Sequence, residues 1–245
     1  MAQISVHEPD VALSDPTLVE GLPGVGLVGK ITADHLVETF EMTHYATCHC
    51  EGLPDIAIYH ENDPDITGAV RLYADSDRDL LVLQSDVPVS PNAAEEFAGC
   101  LTGWIREHDA LPLYLSGRPT DPDDDRATYG VATGEAGDIL AAHDIAPPDE
   151  RGAISGPTGA LLYEASRQDV DALGVIVEAS GRFPDPAAAK TLIETAIEPI
   201  TGLTVETDTL LEQAEEIRAT RQQLARRMQQ AQEESSKAEP VGMYQ

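Results

Sequence analysis

The chain has 245 residues, 42% of them hydrophobic, which is enough to bury a core in one large domain or two small ones. Its 44 acidic residues outnumber 15 lysines and arginines, for a net charge of −29. That balance excludes sequence-independent nucleic-acid binding, which needs clustered basic side chains, and docking on anionic membrane surfaces.

Only Lys30, Lys190 and Lys237 are lysines, and acid-rich blocks such as Asp121–Asp125 recur between hydrophobic segments. The charge therefore coats a folded surface, of the kind whose self-repulsion is screened at about 1 M salt, where the Debye length is roughly 3 Å. A halophilic setting follows as the expectation. The N-terminus lacks a basic segment followed by an apolar one, and no apolar run reaches the roughly 20 residues of a membrane span. A cytoplasmic protein without membrane contact is expected. Three cysteines predict no disulfide framework and suit a reducing compartment.

From residue 1 to 203 short apolar runs alternate with helical patterns, which predicts an α/β domain with a mixed sheet covered by helices on both faces. Strands are expected over Ile4–Val6, Leu18–Glu20, Thr43–Cys50, Ile56–His60, Gly68–Tyr73, Leu80–Leu83, Leu113–Leu115, Tyr129–Ala132 and Leu173–Val177. Helices are expected over Val25–Phe40, Asn92–Glu107, Ala136–His143, Gly159–Arg167 and Pro186–Ile197. The last of these opens on Asp185-Pro186, an N-cap acid followed by proline at the first helical position.

After Gly202 a charged stretch free of Pro and Gly predicts one long helix over 204–237. Its Leu210, Ala214, Ile217, Arg221, Leu224, Met228 and Ala231 form a heptad stripe with an arginine in the seam, suited to packing along its own domain or to an oligomer contact. Residues 238–245, with Pro240 and Gly242, read as a flexible docking tail.

Four patterns invite a chemical reading. In Gly21-Leu22-Pro23-Gly24-Val25-Gly26-Leu27-Val28-Gly29-Lys30 the glycines satisfy GxGxxG, and Gly24 through Lys30 satisfy GxxxxGK. Neither match is complete: Ile31 stands where a phosphate loop needs Ser or Thr for magnesium, and no acid ends a strand about 20 residues on. Gly21, Gly24, Gly26 and Gly29 are therefore expected to shape a tight strand-to-helix turn, with a nucleotide- or nucleoside-acting enzyme, helped by His35 or Asp86, as the alternative. His44, Cys48 and Cys50 share a strand parity, but two thiolates and one imidazole do not make a structural zinc set, so buried core cysteines, Cys100 included, are expected and no metal. Leu80–Asp86 imitates a Walker B strand, as any buried strand ending in an acid does. The fourth pattern is Met243-Tyr244-Gln245, where Met243 would fill an apolar cavity, Tyr244 would pack its ring, and the Gln245 carboxylate would pair with a receptor lysine.

Glu20 through Lys30, followed by Ala33, Asp34 and His35, resembles the N-terminal signature of the archaeal proteasome assembly chaperone 2 family, and Gly181 through Lys190 resembles its second motif. The resemblance spans about 200 residues. It implies a phosphorylase-like α/β sandwich without catalytic activity or cofactor, in which the glycine motif is structural. It further implies a homo-oligomer, such as a tetramer, whose C-terminal hydrophobic-Tyr-any tails dock on the α-ring of the proteasome core particle. Met243, Tyr244 and Gln245 match that tail position by position.

Overall fold

The computed structural model describes residues 3–51, 53–61, 63–120, 126–181 and 184–212. The strands are β1 (Gln3–Val6), β2 (Thr17–Gly21), β3 (Thr43–His49), β4 (Ala57–His60), β5 (Asp63–Gly68), β6 (Val70–Asp75), β7 (Leu80–Ser85), β8 (Leu111–Thr120), β9 (Thr128–Thr133) and β10 (Ala172–Ser180). Eight of them form one sheet in the order β1-β3-β6-β7-β2-β8-β10-β9, and β4 and β5 pair separately as a hairpin. Strands β7, β2, β8 and β10 run parallel, while β1, β3, β6 and β9 join antiparallel at the flanks.

The central strands are buried on both faces, which is why they read as continuous apolar runs. Leu18, Leu81, Leu83 and Tyr114 face one core, and Val19, Leu80, Val82, Leu113 and Leu115 face the other. Helices α2 (Ala94–Glu107) and α4 (Gly156–Arg167) cover the first face. The second is covered by α1 (Val28–Thr39), α3 (Gly137–Ala142), α5 (Pro186–Leu192) and a π-helical turn, Ile193–Ile197, that runs on into α6 (Glu198–Thr201). The mixed sheet with helices on both faces is as the alternation of patterns predicts.

The differences have physical causes. Strand β5 was not expected, because Asp63-Pro64-Asp65 has the composition of a turn. Proline is tolerated here because the strand is an edge of a two-stranded hairpin. Helix α4 begins at Gly156, with Pro157 in its first turn, three residues before the expected start. After Gly202, whose φ of 71° ends α6, residues 203–207 are not helical, and helical backbone resumes at 208.

The expectation of no disulfide is corrected: Cys50 at the end of β3 is bonded to Cys100 on α2, 50 residues away. Spacing alone gave no hint of this pair, since its members meet only once α2 is laid on the sheet. Cys48 is free and buried, and burial pushes its thiol up to about 12. The shared parity of His44 with the cysteines is also corrected. The β3–β6 register shifts between His44 and Ala46, so both Tyr45 and Ala46 enter the core and the alternation slips by one. His44 then bonds Thr47 on the other face.

Candidate functional site

The carboxyl ends of the parallel strands gather both sequence motifs at one end of the sheet, the usual place for a site in such folds. Strand β2 ends at Gly21, and the chain passes through a 3-10 turn, Val25–Leu27, into α1. A Cβ on Gly21 would stand 2.1 Å from the Ala33 Cβ and 2.8 Å from the Leu83 carbonyl oxygen, and one on Gly29 would stand 3.2 Å from the Leu22 carbonyl. Helix α1 thus lies directly on the backbone of β2. Gly26 has φ 64°, and the carbonyl there accepts the Asp185 N–H at 2.8 Å. Gly24 differs: it is exposed and extended, and nothing lies within 4 Å of an added Cβ. Packing therefore accounts for Gly21, Gly26 and Gly29 but not for Gly24.

Asp185 fixes the second motif against the first. Its carboxylate accepts the N–H groups of Ser180 at 2.8 Å and Ala188 at 3.2 Å, and it pairs with Arg126 at 2.9 Å where both side chains are almost fully buried. Arg126 also donates to the Glu178 carbonyl. The N-cap role of Asp185 was legible in Asp-Pro; the role of Arg126, beyond the acidic block at 121–125, was not. Residues 121–125, Arg182 and Phe183 lie outside the described residues.

The groups a nucleotide site would need are engaged elsewhere. Lys30 pairs with Asp34 at 2.9 Å and with Asp86 at 3.5 Å. Asp86 pairs with buried Arg71 at 2.6 Å, and Gln84 bridges Arg71 and Asp34. The lysine of GxxxxGK is thus neutralised by carboxylates, and the Walker B-like aspartate is tied to two cations.

His35 is buried and its Nε2–H donates to the Glu206 carbonyl at 2.7 Å. It faces the segment that follows α6 rather than the glycine turn. Burial first, and then neighbouring His7 and Arg71, lower the pKa of His44. With Cys50 bonded to Cys100, the His44, Cys48 and Cys50 set does not assemble. No group of three metal-ligating side chains comes together among the described residues.

Glu20 is the residue whose role the sequence understated. Its side chain is fully buried and accepts hydrogen bonds from Leu22 N–H at 3.1 Å, Leu115 N–H at 3.0 Å and the Thr158 hydroxyl at 3.2 Å. The β2–β8 ladder stops at Glu20 opposite Tyr114, and the carboxyl takes over the next N–H where β2 turns away. Burial raises its pKa from 4.5 to about 7 against those bonds. An acid closing the apolar run Leu18-Val19 was the signal available.

Two further features lie on the surface. A cavity of about 590 Å³ opens beside α4, β8, β9 and β10, lined largely by apolar groups such as Val131, Ile154 and Leu162. Arg118 on its wall is held by Glu178 at 2.6 Å and Asp149 at 3.2 Å, and its guanidinium lies 4.6 Å from the Tyr129 ring centroid, so its charge is already matched. On the β4–β5 hairpin the cross-strand partners Tyr59 and Ile66 are 85% and 67% exposed. Met243, Tyr244 and Gln245 lie outside the described residues, as does the expected helix beyond 212. No helix among the described residues is long and apolar enough to cross a membrane.

A mixed α/β sandwich with a glycine turn built into its packing is the class of protein these features define. The model of the PAC2 family matches residues 18–225, and the chain belongs to that family. It is similar to an uncharacterised protein of Methanocaldococcus jannaschii, 24% identical over 239 residues that cover 96% of each chain. Among solved structures it resembles Pyrococcus furiosus PbaA, described as an archaeal homolog of proteasome-assembly chaperone, with a TM-score of 0.78, 24% identity and coverage of 96% of this chain and 95% of that one. It also resembles P. furiosus PbaB, described as an archaeal proteasome activator, with a TM-score of 0.76, 24% identity and coverage of 91% and 98%.

Gly21→Ala should cost about 1–3 kcal/mol in denaturant unfolding because α1 must lift off β2, while Gly24→Ala should stay within about 0.5 kcal/mol of wild type; equal costs would contradict the packing account. For Glu20, the folded state keeps a proton between pH 4.5 and about 7 that the unfolded chain has lost. Its contribution is full below 4.5 and falls as pH rises through 7, by on the order of 3 kcal/mol. The stability of Glu20→Gln relative to wild type should therefore rise across that window, and parallel pH profiles would contradict it.

Proposed function

We propose that the chain is a non-enzymatic proteasome assembly chaperone or activator-like factor that docks on the α-ring of the proteasome core particle. Docking runs through Met243-Tyr244-Gln245, presented in several copies by a homo-oligomer such as a tetramer, without cofactor, in the cytoplasm. The observation that carries this reading is the likeness over nearly the whole chain to PbaA and PbaB, whose descriptions name a proteasome-assembly chaperone homolog and a proteasome activator. The hydrophobic-Tyr-any sequence at 243–245 adds to it. Tyrosine suits such a contact because its ring buries apolar area and its hydroxyl still finds a polar partner. Several weak tails on one particle gain avidity from raised effective concentration.

The engaged state of Lys30 and Asp86 supports the non-enzymatic side of the proposal. A phosphate at the glycine turn would have to draw Lys30 away from two carboxylates, and Ile31 offers no oxygen to a magnesium ion.

Removal of residues 243–245 from the full chain should abolish co-purification with core particle at high salt while leaving the thermal midpoint and the oligomer mass unchanged. Undiminished co-purification of the truncated chain would sink the docking claim.

A further inference from the structure

The segment joining the α/β domain to its C-terminal continuation is not a loose linker. Residues 203–207 alternate inward and outward: Val205 and Thr207 are buried, Leu203 is partly buried, and Thr204 and Glu206 point out. Once the helix begins at 208, Leu210 is 1% exposed and joins the same core as Val205, α1 and α5. Apolar burial therefore holds this segment from both sides of its transition into helix.

Three polar contacts fix it as well, each from a different helix. His35 of α1 donates from Nε2 to the Glu206 carbonyl at 2.7 Å. Lys190 of α5 donates to the Thr207 hydroxyl at 3.0 Å and also pairs with Glu194. The Glu198 carboxylate of α6 accepts the Val205 N–H at 2.7 Å. His35 and Lys190 are the last residues of the two sequence motifs, which meet where the Gly26 carbonyl accepts the Asp185 N–H and which both end on the same segment. Their shared partner is residues 206–207.

We infer that His35 and Lys190 are positioning residues that fix residues 203–210 on the domain, and thereby set the point from which the docking sequence at 243–245 reaches its partner. This rests on the reading that 243–245 is the docking element. The physical gain is in effective concentration: a docking sequence whose root is fixed samples a smaller volume than one whose root frays, so its copies on one oligomer fall near their sites together. Loosening the root should weaken multivalent binding without touching the tail's own contacts.

The test uses the full chain and purified core particle, with binding titrated at high salt. His35→Leu/Lys190→Met removes both donors, and His35→Gln/Lys190→Arg keeps a donor at each place. The first pair should bind roughly tenfold or more weakly. Its amide exchange should rise at Val205–Leu210 while that of β2 and β8 is unchanged. The second pair should restore both readouts toward wild type. Wild-type binding by the first pair overturns the inference, and so does a loss that the donor-keeping pair fails to restore. Truncation of 243–245 run alongside separates the two claims. If truncation has no effect, the docking reading falls and this inference with it. If truncation abolishes binding while the first pair binds normally, only the inference falls.

Discussion

The contact between α1 and the backbone of β2 is the constraint on which the rest of the structure depends. Gly21 and Gly29 leave no side chain between helix and strand, and Ala33 occupies the space a Cβ on Gly21 would need. That close approach sets the height of α1 above the sheet. It therefore sets where Gly26 meets Asp185, where Lys30 meets Asp86, and where His35 meets the segment after α6. Interiors packed to crystal-like density transmit such a placement over several residues with little slack.

Seen this way, the glycine-rich turn and the second motif form one unit. Asp185 bonds the turn, caps α5 and holds buried Arg126, so its charge is matched and its oxygens are used. A buried ion pair of this kind is weak evidence for stability, and it does fix the geometry of the groups it joins. The polar cluster of Lys30, Asp34, Arg71, Gln84 and Asp86 does the same across α1, β6 and β7. Both clusters consist of groups that a nucleotide enzyme would leave available and that this fold employs in joining its elements.

Much of this was legible in the sequence, for reasons that can be named. Central strands such as Leu80–Leu83 are buried on both faces and announce themselves by composition, and Asp185-Pro186 announces a helix start through its cap. What was hidden depends on tertiary placement. The bulge at Tyr45 reversed the face of His44, which no alternation rule could detect. Cys50 and Cys100 meet only across the sheet-to-helix interface. His35 read as a candidate for chemistry at the glycine turn, yet its partner is a backbone carbonyl 171 residues away. In that case a polar residue beside a motif read as part of its chemistry, whereas the fold gives it to a distant segment.

Competition by the tail alone is the most direct measure of the central claim, that the chain works by presenting its last residues to a proteasome core particle. A peptide ending in Val241-Gly242-Met243-Tyr244-Gln245 should displace the full chain from core particle in a concentration-dependent titration at high salt, and the same peptide with alanine in place of Tyr244 should not. Equal failure of both peptides to displace a chain that does bind would contradict it, because binding would then run through the α/β domain.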